Sequence, residues 1–194
     1  MEVKLKMKVK NVPLLTTKEV RASKISKSSI TKLCKEGTLE RVSRGVYLNH
    51  NSKKDLPIEY EDLFYTVMSI KHGVICLISA LSYYDLTEEI PRKFWIAIPA
   101  NKKPLARDNI KFIRLRNYEL GIKTINISGV KVNIYDVERT IVDSFRFLSI
   151  ETAIKALKEY FKTNPKPDIS KLLNYSRILR VNIKPYIEVL TINA

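Results

Sequence analysis

Lys27, Ser28, Ser29 and Lys32 share a segment in which Ile30, Leu33 and Cys34 recur at spacings of three and four. On a helix this spacing sends the apolar side chains to one face and turns the lysines and serines away from it. A lysine reads guanine O6 and N7 or pairs with phosphate, and a serine exchanges hydrogen bonds with several bases. The helix N-terminus adds its own preference for a phosphate. Arg44, with Ser43 before it and Gly45 after it, marks the tip of a hairpin and is the best single candidate for a minor-groove or backbone contact. Arg41 and Lys35 are expected as phosphate contacts or solvated charges. A lone surface lysine ordinarily serves solubility, so the reading rests on the whole constellation and its order along the chain.

A second group with chemical potential is Asp136, Glu138, Arg139 and Asp143 in YDVERTIVD. Two carboxylates near an arginine could bind a metal or exchange protons. The rules of helix ends give a stronger reading. Asp136 is a good N-cap, and Glu138 falls in the first turn, where the helix dipole favours an acid. Arg139 and Asp143 are four apart and pair on one face. Signs of catalysis elsewhere are weak. A metal-dependent nuclease wants clustered acids and a lysine on strands. Glu88, Glu89 and Lys93 precede the strand around Trp95, but that strand has no carboxylate. His50 and His72 are 22 residues apart with no cysteine or carboxylate at ligand spacing, so no metal site is expected. Gly totals five, no glycine-rich phosphate loop is present, and no serine sits in a G-x-S-x-G elbow. Tyr83, Tyr84, Phe94 and Trp95 lie in helix or strand patterns that suit a core better than a base-stacking platform. The expectation is a protein that is not an enzyme and needs no cofactor.

The elements that would position the first group can be traced from Thr16. Thr16 and Glu19 fit a capping box, which predicts a short helix from Thr17 to about Ser23 with Val20 facing inward. A tight turn through Lys24 and Ile25 leads to Ser26, a good N-cap, and to a second helix from Lys27 to Glu36 that Gly37 ends. TLERV, SRG and VYLN then read as a β-hairpin. Two short helices and a hairpin make a winged helix-turn-helix, whose second helix enters the major groove. Residues 1–10 alternate Val3, Leu5, Met7 and Val9 with lysines and suit a strand, a helix or a solvated basic arm.

Residues 49–57 are polar and without period, as a linker would be. Beyond them, helices are expected at about 59–71, 75–86, 137–148 and 151–161, with two more in 168–192. Strands are expected at FWIAIP and FIRL, and a hairpin at 122–135 turning on Ser128-Gly129. The expected fold class is α+β. A winged helix-turn-helix DNA-binding domain occupies 1–50. A mixed domain with a small sheet and C-terminal helices occupies 58–194.

Composition agrees with this reading. A hydrophobic fraction of 45% over 194 residues supports a real core. No apolar run approaches the roughly 20 residues of a membrane span, and no secretory signal is seen. Cys34 and Cys76 are expected as free, buried thiols of a reducing compartment. The net charge is +15, and residues 1–54 carry 14 Lys/Arg against 4 Asp/Glu, so the excess is concentrated in the first quarter. Such an excess attracts a polyanion by releasing condensed counterions. A cytoplasmic location with double-stranded DNA as partner, and no membrane, follows as the expectation.

The run GTLERVSRGVYLN, following a basic helix, resembles the winged-helix domain of AbiEi-type antitoxins of abortive-infection toxin–antitoxin systems. GVICLISALSYYDLTEEIP, FWIAIP and VNIYDVERTIVDSFR resemble the C-terminal antitoxin domain of the same family, in the same order. The resemblance implies a transcriptional autorepressor that binds repeats upstream of its own operon. It also implies a C-terminal domain that counters a cognate toxin resembling a nucleotidyltransferase, an antagonism that need not use a stable complex. Family roles carry over to Lys27, Ser28, Ser29, Lys32, Ser43 and Arg44, and to no individual antitoxin residue. Two rivals stand beside this reading: a nucleic-acid-processing enzyme, such as a metal-dependent nuclease, targeted by the winged helix, and a protein-interaction module whose basic face binds an acidic partner.

Overall fold

The computed structural model describes residues 10–104 and 106–192. The alternating segment Val3–Val9 lies outside the described residues. The chain forms two compact units, one reaching up to Gly73 and including 124–132, the other comprising 74–123 and the chain from 133 onward.

In the first unit, β1 (Leu14–Thr16), α1 (Thr17–Ala22), α2 (Lys27–Lys35), β2 (Leu39–Ser43) and β3 (Val46–Asn49) follow in order. The capping box forms as expected. Thr16 Oγ1 accepts from the Glu19 amide at 3.2 Å, and Glu19 Oε2 accepts from the Thr16 amide at 2.7 Å. The turn between the helices places Lys24 in the left-handed region, at φ 57°. Ser26 caps α2 by accepting from the Ser29 amide at 3.1 Å. The helix closes through two bonds, from the Gly37 amide to the Cys34 carbonyl and from the Thr38 amide to the Leu33 carbonyl. Leu15, Val20, Ile25, Ile30, Leu33 and Leu39 are buried together as the core under these elements.

β1 was not expected from the sequence. Its three residues pair antiparallel with β3, giving a sheet ordered β1-β3-β2. A strand this short carries no readable alternation, and its pairing partner lies some thirty residues away. Asn49, 3% exposed, ties the incoming chain down by donating from its amide to the Lys10 and Val12 carbonyls. α3 (Ile58–Met68) buries Leu63, Phe64 and Val67 and packs against β2.

The second unit holds β4 (Val74–Ile75), β5 (Phe94–Pro99) and β6 (Ile110–Leu115) of a sheet ordered β6-β5-β4-β8-β7, in which β7 is Ile122–Ile127 and β8 Val130–Tyr135. β5 runs parallel to β6 and antiparallel to β4, and β4 runs parallel to β8. Its helices are α4 (Leu77–Tyr83), α5 (Val137–Phe147), α6 (Ile150–Thr163), α7 (Ile169–Leu179) and α8 (Lys184–Ile192). The sequence suggests one helix over 75–86, whereas Val74 and Ile75 form the central strand. The chain then leaves the strand through extended Cys76 and left-handed Leu77, φ 48°. An apolar run such as Val74–Leu81 suits a buried strand and a buried helix equally, so periodicity alone could not divide it. Both cysteines are free; Cys76 is buried and Cys34 only half-buried.

Candidate nucleic-acid interface

α2 is amphipathic in the sense the interface needs. Ile30 and Leu33 are 4% and 1% exposed, while Lys27, Ser28, Lys32 and Lys35 are exposed and Ser29 is half-buried. Thr31 is exposed as well, and its hydroxyl donates to the Lys27 carbonyl at 3.2 Å. It stands one turn from both Lys27 and Lys35. Its spacing of four from both Lys27 and Lys35 would have found it in the sequence.

At the helix start, Ser26 Oγ lies 2.8 Å from both Ser28 Oγ and Ser29 Oγ. These three hydroxyls cluster at the first turn, which contains no acidic residue. The arrangement presents donors and a positive dipole end without a competing carboxylate. Further along, Lys32 Nζ is 3.6 Å from Glu36 Oε1, with both side chains largely in water, so the pair only mildly attenuates the lysine charge.

The hairpin is a short wing. β2 and β3 pair antiparallel, with a register shift between Arg41 and Ser43, and Ser43 faces Val46 across the turn. Gly45 adopts φ 76°, a conformation that costs a side-chain-bearing residue energy. Its carbonyl accepts from the Thr17 amide at 2.8 Å, which ties the wing tip to the start of α1. Arg44 and Arg41 are exposed and Ser43 is half-buried. α2 packs directly against β2, so helix and wing share one rigid support. Arg41 is near enough to α2 to act on Cys34: burial pushes the Cys34 thiol above its ordinary value, and the Arg41 charge partly opposes this. On the outer edge, His50 Nε2 is 2.9 Å from Glu40 Oε2.

The Asp136 group has a different character. Asp136 caps α5 by accepting from the Arg139 amide at 2.8 Å, and its Oδ2 accepts from the Tyr175 hydroxyl at 2.9 Å. Arg139 is wholly buried. Its Nε donates to Asp143 Oδ2 at 2.7 Å, and its Nη1 donates to the carbonyls of Asn117 and Leu120 at 2.9 and 2.8 Å. Glu138 accepts from the Tyr160 hydroxyl and from Lys171 Nζ, each at 2.8 Å. Burial alone would raise the Glu138 carboxyl, but the bonds from Lys171 and Tyr160 outweigh it and hold the group below its ordinary value. Lys171 also reaches Asp136 Oδ2 at 3.1 Å. Asp136 and Glu138 thus clamp α6 and α7 onto the start of α5, while Asp143 is engaged within α5 by Arg139 and Arg146. The carbonyl of Gly121 accepts from the Asp136 amide, and a Cβ at Gly121 would stand 2.8 Å from Arg139 Cβ.

Among the described residues, no group of three or more His, Cys, Asp or Glu side chains could hold a metal ion. No described helix is long and apolar enough to cross a membrane. Phe94, Trp95, Tyr83 and Tyr84 are half-buried; Tyr84 donates its hydroxyl to the Tyr135 carbonyl, and Lys111 Nζ lies over the Trp95 ring at 3.6 Å.

Residues 5–50 match the family model described as a transcriptional regulator, AbiEi antitoxin. The matched segment contains α1, α2, the wing and every residue placed on the candidate interface. No curated protein matches the chain.

Proposed function

We propose that the AbiEi-type domain of residues 5–50 binds specific double-stranded DNA upstream of its own gene and represses its transcription, in the cytoplasm. α2 lies in the major groove, with Lys27, Ser28, Ser29 and Lys32 toward base edges and phosphates. Lys35 and Arg41 contact the backbone, and Ser43 and Arg44 reach it from the wing. The observation that carries this reading is the exposed Lys27–Ser28–Lys32–Lys35 face of a helix whose Ile30 and Leu33 are buried. In the same proposal the region 58–194, on the resemblance of 73–91, 94–99 and 132–146, serves as the antitoxin half against a nucleotidyltransferase-like toxin.

The test compares binding to the upstream DNA with binding to scrambled DNA across a salt series. Lys32→Gln with Arg44→Gln should weaken binding and flatten the log–log salt slope by about 1.8, the loss of two phosphate contacts. Equal affinity for both DNAs at every salt concentration would reduce the interface to nonspecific charge. A reading frame for a nucleotidyltransferase-like protein beside the gene, whose toxicity is relieved by co-expression of this chain, is the expected result for the antitoxin role.

A further inference from the structure

In the second unit, the end of β6, the end of α5 and the end of α7 enclose an open concavity of about 800 Å³. Its lining includes Arg114, Arg116, Arg146 and Arg180, the apolar Phe147 and Ile178, and no carboxylate. All four arginines are exposed. Phe147 and Ile178 are exposed too, at 38% and 44%. The volume falls in the range of ligand sites, and the lining joins strong charge to bare apolar surface.

The choice of cation is selective. The chain has 24 lysines and 11 arginines, yet the concavity takes four arginines and no lysine. A guanidinium is a planar fork that meets a phosphate with two parallel hydrogen bonds and stacks on flat rings; an ammonium is a point charge. One arginine is fixed from inside the fold. Arg146 Nη1 donates to Oδ1 of buried Asp143 at 2.9 Å, and its guanidinium carbon lies 4.8 Å from the Phe147 ring. Arg114, Arg116 and Arg180 enter no ion pair among the described residues.

Arg180 occupies a position where glycine is the usual residue. Its backbone is left-handed, φ 57° and ψ 48°. The Arg180 amide bonds the Arg177 carbonyl and the Val181 amide bonds the Ser176 carbonyl, the paired bonds of a Schellman helix end. A strained arginine there sets a side chain at the concavity at the expense of backbone comfort.

Like charges crowded into one concavity repel each other until an anion enters. We propose that this groove binds single-stranded nucleic acid. Arg114, Arg116 and Arg180 pair with successive phosphates, while Phe147 and Ile178 give unpaired bases an apolar surface to lie against. A duplex keeps its base faces stacked inside and would leave Phe147 and Ile178 in water. An acidic peptide supplies charge but no row of flat faces. The inference is independent of the winged-helix reading.

The test uses full-length protein carrying Lys32→Gln and Arg44→Gln, so that the first unit contributes little. Fluorescence anisotropy reports binding of a labelled mixed-sequence single strand of about 12 nucleotides, within the span of known single-strand sites. Adding Arg114→Gln, Arg116→Gln and Arg180→Gly should weaken binding at least about tenfold and flatten the salt slope by about 2.1, three phosphate contacts on a single strand. Arg180→Gly alone should weaken binding while leaving the melting temperature equal or higher, because glycine fits the left-handed backbone. Phe147→Ser should weaken binding with the salt slope unchanged, the signature of lost stacking. Unchanged affinity in the arginine variant would overturn the proposal, as would an equal loss for a duplex of the same length. So would competition by ATP or by polyglutamate as effective as that by unlabelled single strand at equal charge.

Discussion

Replacing Asp143 by alanine should unfold the second unit far more readily than a surface change would. The Asp143 side chain is 2% exposed and that of Arg139 is 0% exposed. Alanine removes the acceptor of Arg139 Nε and of Arg146 Nη1. Arg139 then keeps two backbone carbonyls and no counter-charge, and its Nη2 is already buried without a partner among the described residues. Removing one member of a buried ion pair costs about 3–5 kcal/mol, because the other charge stays buried and uncompensated. For a chain of this size that lowers the melting temperature by about 6–20 °C. Arg139→Leu should cost a comparable amount, since it strands the Asp143 carboxylate with only Arg146 and leaves the Asn117 and Leu120 carbonyls without a donor. The double variant removes both charges. It should therefore be more stable than the sum of the single losses by about 2–3 kcal/mol. Urea unfolding of the four proteins in a double-mutant cycle measures this coupling. A coupling below about 0.5 kcal/mol would refute the reasoning, since independent sites add to within that margin. Metal-dependent cleavage of nucleic acid that Asp143→Ala abolishes with folding intact would move the Asp136 group from structure to catalysis.

Three further outcomes follow from single contacts. Gly121→Ala should destabilise by about 2–4 kcal/mol in the same urea assay, because it joins a left-handed backbone to a Cβ that overlaps Arg139; a loss under about 1 kcal/mol would mean that the neighbouring helix yields freely. Glu138 has a carboxyl held low in the fold, so its contribution is complete above its ordinary value of 4.5 and is lost as the pH falls through the lower folded value. The stability difference between wild type and Glu138→Gln should therefore shrink as urea unfolding is repeated from about pH 7 down to about pH 3, and a constant difference would contradict the assignment. Glu36→Gln should free Lys32 from its exposed partner, strengthening DNA binding modestly and steepening the salt slope, which a titration at low salt would detect; weaker binding would place Glu36 itself at the DNA.

What the chain dictates locally could be read from it directly. Thr16 with Glu19, Ser26 before an apolar stripe, and Asp136 before VERTIVD mark helix starts through contacts spanning three or four residues. Such contacts depend on little besides the residues involved. The pairing of Arg139 with Asp143 was legible for the same reason, as was the exposure of Lys27, Ser28, Lys32 and Lys35 once Ile30 and Leu33 were placed inside. The burial of that pair was not legible. It depends on the Asn117 and Leu120 carbonyls, and the neighbouring acids depend on Tyr160, Lys171 and Tyr175, all remote along the chain. The strands Leu14–Thr16 and Val74–Ile75 escaped because two or three residues show no period, and only their partners make them strands. The arginine groove was hidden most completely. Arg114, Arg116, Arg146 and Arg180 look like scattered surface charges in one dimension, and only the packing of β6 with the ends of α5 and α7 brings them to one concavity. Capping and periodicity act over one helical turn and are written in neighbouring residues. Burial and convergence are set by where the chain returns to itself, which no short stretch of sequence records.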